Sequence, residues 1–218
     1  MTSETPLILG FDTSGPYISA LLLHGDAVLG DAHNDMARGQ AEHLFPLLQD
    51  MLNAANVTWR DLSAIGVGVG PGNFTGIRIS VSAARGLGLS LNIPTVGVSL
   101  LDAVALDQPG PTLSCLSAPR GSIYMQGNAT AQNIPAQFLS LDDLPALLEP
   151  GLTCIGSAAA DVAPRLNAVQ APARYAPGSA IARLTAQRWQ SPQPRPAPLY
   201  LKTADAAPPR DPAPIILD

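Results

Sequence analysis

Apolar positions along the chain repeat in two different registers. From Leu7 to Asp31 they form short runs separated by turn residues, which predicts strands over Leu7 to Phe11, Tyr17 to His24 and Ala27 to Asp31, the last two joined at Gly25-Asp26. Three strands in succession make a meander. Between Leu44 and Ala55 the period changes: Leu44, Leu47, Leu48, Met51, Leu52 and Ala55 are spaced by three, one, three, one and three residues, the pattern of a one-faced amphipathic helix. Pro46 bounds that helix because it has no N–H to give. The helix either begins near Glu42 and His43 or kinks. Phe45 falls off the stripe and is expected to be exposed.

The chain is organised around the stretch from Ile65 to Leu91. Ile65-Gly66-Val67-Gly68-Val69 alternates β-branched residues with glycine, which suits a strand approached closely by a neighbour. Gly70-Pro71-Gly72 ends it, and Asn73 or Thr75 can cap the helix that follows. Gly76, Ser80, Ala84 and Gly88 recur every four residues along this helix, flanked by Ile77, Val81 and Leu91. A stripe so nearly bare suits close packing on the protein's own sheet or docking of another subunit. Arg78 and Arg85, seven residues apart, lie on about the same face and either rim such a surface or are merely solvated.

Further along, Thr95 to Val98 reads as a strand and Ser99 as the cap of a helix through Leu106. Thr112 to Leu116 and Ser122 to Gly127 read as a strand pair, Leu141 to Leu148 as a short helix, and Thr153 to Ile155 as a strand. A weak helix follows Gly156-Ser157, and Ser179 to Trp189 reads as the last helix. Leu199-Tyr200-Leu201 can add an edge strand. Alternating strands and helices indicate an α/β fold. Gln108-Pro109-Gly110-Pro111 divides it into an N-terminal lobe over 1–107 and a smaller lobe over 108–200, and prolines make a disordered tail the expectation for 201–218.

Composition narrows the function. The 218 residues are 46% apolar, ample for a core, and 13% charged, with no apolar run of membrane-spanning length. The polar, acidic start from Met1 to Pro6 is unlike a signal peptide, so a cytoplasmic protein that meets no membrane is expected. A net charge of −5, with Lys202 the single lysine, argues against gripping nucleic acid unaided. Cys115 and Cys154 are 39 residues apart and read as buried small hydrophobes.

Few residues offer catalytic chemistry. Gly72 to Ile77 lacks the lysine of a phosphate-binding loop, and Gly70-x-Gly72-x-x-x-Gly76 is only a loosened dinucleotide fingerprint. Gly97-Val98-Ser99-Leu100-Leu101 is not a nucleophile elbow. His24, His33 and His43 are never one helical turn apart, so no metal site is expected and each reads as a surface or satisfied histidine. Asp12-Thr13-Ser14, at the end of the first strand, either stabilises its turn or faces a phosphate, with Asp12 holding a metal-bound water.

Four stretches together resemble the TsaB (YeaZ) family of the glycoprotease-like superfamily. They are Leu7-Ile8-Leu9-Gly10-Phe11-Asp12-Thr13-Ser14, the helix from Glu42 to Leu52, Gly70-Pro71-Gly72-Asn73-Phe74-Thr75-Gly76-Ile77-Arg78, and Pro198-Leu199-Tyr200-Leu201-Lys202. The third is the most specific, and the four span nearly the whole chain. The resemblance implies a two-lobed actin-like ATPase (ribonuclease-H-like) fold of mixed sheets flanked by helices. It implies a role in making threonylcarbamoyladenosine beside the anticodon of tRNA. The protein would be a non-catalytic partner that binds and activates a TsaD-like transferase, the carrier of a His-x-x-x-His metal site, with a TsaE-like ATPase completing the set.

On that reading Glu42, Phe45, Leu48, Gly76, Ile77, Ser80, Val81, Ala84 and Gly88 form the interface. Gly70, Pro71, Gly72, Phe74, Thr75 and Arg78 shape the loop, and Asp12, Thr13 and Ser14 are a vestigial nucleotide site. There would be no cofactor of its own, ATP or ADP being confined to the partner interface. The tRNA would be met only indirectly, and a homodimer would be the resting state when alone. Two departures stand out. Gln40 replaces a common histidine, with His43 one turn later. Ser117-Ala118-Pro119-Arg120-Gly121-Ser122-Ile123-Tyr124 lacks two carboxylates and an arginine of the common Asp-Ala-Arg-x-Gly-Glu-Val-Tyr, which removes acid–base chemistry there. The competing expectation is a stand-alone nucleotide-binding or hydrolysing enzyme using Asp12, Thr13 and Ser14.

Overall fold

A computed structural model describes residues 5–146 and 149–202. The first sheet contains β1 (Leu7–Asp12), β2 (Tyr17–His24), β3 (Ala27–Asp35), β4 (Ala64–Gly68) and β5 (Thr95–Val98), in the order β3-β2-β1-β4-β5. The meander β1–β3 is antiparallel, whereas β4 and β5 run parallel to β1. The parallel connections are helical crossovers: α1 (Gln40–Ala54) before β4 and α2 (Phe74–Leu91) before β5. Every residue of β1 and β4 is buried, because helices cover both faces of the sheet.

One face packs on α1 and α2. Leu9, Phe11, Leu22, Ile65 and Val67 meet Leu44, Leu48 and Leu52 of α1 and Ile77, Val81 and Ala84 of α2 in one apolar cluster. The opposite face packs on α5 (Pro177–Arg188), through Ala182 against Ile8, Leu21 and Ala64, and through Ala180, Ile181 and Leu184 against Val96 and Val98. The approach is close: a methyl group built on Gly66 would meet Ile181 and Thr185. That is why β4 alternates glycine with β-branched residues.

A second sheet, ordered β10-β9-β6-β7-β8, holds β6 (Thr112–Ser117), β7 (Ser122–Asn128), β8 (Gln137–Ser140), β9 (Thr153–Ile155) and β10 (Val169–Ala171). The short helix α4 (Ala159–Val162) packs on it, and α3 (Leu100–Ala105), capped by Ser99, joins the two sheets. The fold is thus two mixed five-stranded sheets flanked by helices, the α/β architecture expected. α5, although it follows the second sheet in sequence, belongs by its packing to the first, so the lobes are not the contiguous halves 1–107 and 108–200.

Several local expectations change. α1 starts at Gln40, two residues ahead of Glu42, with Pro46 inside it. Pro46 and Glu42 are both exposed, so the bond that proline removes lies on the solvent side. The predicted helix from Leu141 is only a 3-10 turn, Leu141–Asp143; Leu144 precedes Pro145, which steers it into extended backbone. Residues 147–148 of that expectation lie outside the described residues, as do 203–218 of the predicted tail. Leu199 to Leu201 form no strand. Leu199 N–H donates to the Val69 carbonyl at 2.8 Å, but Pro196 and Pro198 have no N–H with which to extend a ladder.

Candidate functional site

β1 ends at a turn fastened to the start of α2. The Oδ2 of Asp12 accepts hydrogen bonds from Ser14 N–H at 3.1 Å, Ser14 Oγ at 2.7 Å and Tyr17 Oη at 2.9 Å. Its Oδ1 is buried with no partner among the described residues, against Gly68. Burial outweighs the three bonds and raises the Asp12 carboxyl above the ordinary range. Burial, then the charge of Asp12, raises the Tyr17 phenol. Thr13 Oγ1 donates to the Gly76 carbonyl at 2.7 Å, and Asn73 N–H donates to the Ser14 carbonyl at 2.7 Å. The hydroxyls of Thr13 and Ser14 are therefore engaged within the protein, as a structural turn requires. Tyr17, which the sequence reading passed over, completes this network from the start of β2.

Gly70 makes the bend after β4 with φ of 94°, a conformation open to glycine, and its carbonyl accepts from Leu100 N–H at 2.8 Å. Gly72 lies against Ser14, and Asn73, not Thr75, caps α2 by accepting from Gly76 N–H at 2.9 Å. Beside this loop a cleft of about 1150 Å³ opens between the lobes, walled by Ser14, Tyr17 and Gly72 on one side and Ser117, Tyr124 and Gly156 on the other. Arg38 and Glu42 are the charged residues on its walls. Ser117 is there with its N–H bonded to Ser157 Oγ at 2.8 Å.

The bare stripe of α2 faces inward. Gly76, Ile77, Ser80, Val81, Ala84 and Gly88 are all buried, and so is Leu48 of α1. Gly76 lies on the carbonyl of Thr13, Ser80 Oγ donates to the Ile77 and Gly68 carbonyls, and Gly88 lies on Thr95. The small residues let α2 sit close on its own sheet, which corrects their expected place on an interface. Of that expected set, Glu42 and Phe45 are exposed. The outward face carries Phe45, Ser82, Gly86 and Leu89, with a groove of about 550 Å³ between α1 and α2 floored by Leu44, Ile79 and Ala83.

At the N-terminal turn of α2, Arg78 is more than a solvated cation. Its guanidinium carbon lies 3.7 Å from the centroid of the Phe74 ring, and its Nε donates to Tyr200 Oη at 3.0 Å. The Phe74 and Tyr200 rings stack at 5.3 Å. Two of the motifs singled out in the sequence, 122 residues apart at Arg78 and Tyr200, thus meet on one exposed surface.

Among the described residues, no group of three or more His, Cys, Asp or Glu side chains is placed to hold a metal. His24 and His43 are exposed, and the His33 ring lies 5.0 Å from that of Tyr17, tilted by 36°, with its Nε2 3.6 Å from Asp35. Cys115 and Cys154 are free and fully buried. The Cys115 thiol donates to the Leu113 carbonyl at 3.4 Å, and the adjacent Cys154 thiol and then burial push Cys115 above its ordinary range. No helix among the described residues is long and apolar enough to cross a membrane.

Comparison with known proteins adds four findings. The sequence profile of a family described as "TsaD: tRNA N6-adenosine threonylcarbamoyltransferase" matches residues 34–171. An uncharacterized protein of Mycobacterium tuberculosis (strain H37Rv) is 34% identical over 208 residues, 92% of this chain and 94% of that protein. Among solved structures, YeaZ from Pseudomonas aeruginosa is similar at TM-score 0.71 and 23% identity, over 90% of this chain and all of that one. At greater distance, component A of the (R)-2-hydroxyglutaryl-CoA dehydratase of Acidaminococcus fermentans shares the fold at TM-score 0.53 and 8% identity, covering 85% of this chain and 98% of that one.

Proposed function

This chain belongs to the TsaD family, and on that premise we propose that it acts in threonylcarbamoyladenosine modification of tRNA as a non-catalytic subunit that binds and activates a TsaD-type transferase. The observation that carries the reading is the outward face of α1 and α2. It presents Phe45 to solvent at the edge of a shallow apolar groove, with Leu89 on the same exposed side of α2, the two being 44% and 79% exposed, while Leu48, Ile77, Val81 and Ala84 on the opposite sides of the helices are buried in the core. Exposed apolar surface gathered on one face is the kind of surface that docks a protein.

The site chemistry supports a partner over an independent enzyme. The Asp12 carboxylate is fully buried, and the Thr13 and Ser14 hydroxyls are engaged with Gly76 and Asp12. A nucleotide, ATP or ADP, would then be a ligand of the assembled pair.

Light scattering on a size-exclusion column, with the protein alone and mixed with a TsaD-type transferase, tests the proposal. A one-to-one complex is the expected result, replacing any homodimer seen for the protein alone. Failure to form a complex, with or without ATP, overturns it.

A further inference from the structure

The cluster of Phe74, Arg78 and Tyr200 has the form of a pre-oriented anion receptor. A free arginine side chain loses much rotameric freedom when it binds, a cost that falls if the guanidinium is already held. Here one flat side rests on the Phe74 ring at 3.7 Å, and Nε is bonded to Tyr200 Oη. Tyr200 is fixed in turn by stacking on Phe74 and by the Leu199 bond to Val69. Among the described residues, neither terminal nitrogen of Arg78 meets an acceptor, and no carboxylate forms an ion pair with it. Phe74 and Tyr200 remain 53% and 48% exposed, so the cluster lies open at the surface.

We infer that this cluster is the charged anchor of the α1–α2 docking face and receives an aspartate or glutamate carboxylate from the partner protein, bidentate on the two terminal nitrogens of Arg78. The inference rests on the proposed partner role and deepens it. Arg78 lies one helical turn before Ser82 on the exposed side of α2, and Ser82 walls the apolar groove, so the anchor stands beside the groove's edge. An arginine fork matches a carboxylate in plane and spacing, and Arg and Tyr dominate the energetics of protein interfaces. A nucleic-acid phosphate would satisfy the same fork. The net charge of −5 and the single lysine of the chain favour the protein carboxylate, because phosphate binding draws on many cations.

Calorimetry of the full-length protein with its TsaD-type partner, at low and high salt, tests this. Arg78→Ala should weaken binding by about 30-fold or more. Arg78→Lys, which keeps charge but loses the fork and the stack, should recover only a small part, and Tyr200→Phe should cost several-fold. Thermal melts of the three variants should match the wild type, since the cluster is on the surface. If the wild type binds and Arg78→Ala binds equally well, the anchor is wrong and the partner role stands. If the wild type forms no complex, both fall. If Arg78→Ala leaves pairing unchanged but weakens tRNA binding by the pair, the fork serves a phosphate and the carboxylate assignment is overturned.

Discussion

The Thr13 hydroxyl donates to the carbonyl of Gly76 at 2.7 Å, while the α-carbon of Gly76 lies against the carbonyl of Thr13 itself. The two backbones are in contact, with no room between them for a side chain. Gly76→Ala should therefore force β1 and α2 apart, costing about 3 kcal/mol or more and lowering the melting temperature by roughly 6–12 °C. Gly86, ten residues on, is exposed, and a methyl group there would meet nothing. Gly86→Ala should be neutral or stabilise by up to about 1 kcal/mol, through helix propensity alone. Melting curves of the two variants check both signs.

The same contrast separates the core from the docking face. Ala84→Leu overfills a fully buried position and should destabilise the monomer by about 1–3 kcal/mol. Gly86→Arg should leave the melt unchanged yet abolish complex formation with a TsaD-type partner, because the new side chain fills the α1–α2 groove. Pairing that survives Gly86→Arg would move the docking face elsewhere.

Asp12 gives the stability a pH dependence of definite sign. Its native carboxyl titrates above the ordinary 3.8 because burial outweighs its hydrogen bonds. Between the unfolded and native values the folded state holds a proton that the unfolded chain has released. The contribution of Asp12 is thus fully present below the unfolded value and is lost as pH rises through the native one. Urea midpoints of the wild type, measured against Asp12→Asn, should fall as pH rises from about 4 toward neutrality. A flat difference would contradict the burial argument.

Cys115 and Cys154 are both fully buried, so an aromatic disulfide reagent should leave the native protein unmodified on the time scale in which it titrates exposed thiols. In urea two thiols per chain should react, because both cysteines are free.

Much of the fold could be read from the chain. β1, β2, β4 and β5 are marked by apolar runs between turn residues, and Ser99 capped the helix it was expected to cap. β10 carries no local signal because three residues are too few to show a period, and β8 carries none because nothing in Gln137–Ser140 alternates clearly. At the site, the small-residue stripe was visible, but the direction it faces was not. Period-four small residues suit a sheet or a partner equally, and only the carbonyl of Thr13 beneath Gly76 decides between them. The hydrogen bonds of Tyr17 to Asp12 and of Arg78 to Tyr200 depend on how distant or turning segments fold together, which no local pattern carries.

The return of α5 to the first sheet affects the order in which the protein can form. β1, β2 and β4 are complete by Gly68, yet Ile8, Leu21 and Ala64 on their rear face stay uncovered until Pro177–Arg188 has been made. A chain still on the ribosome therefore holds a half-dressed sheet for more than a hundred residues of synthesis, from Gly68 to Pro177. The second sheet, whose strands and α4 all precede α5, can close first. The lobe that begins first in sequence is consequently the last to be finished.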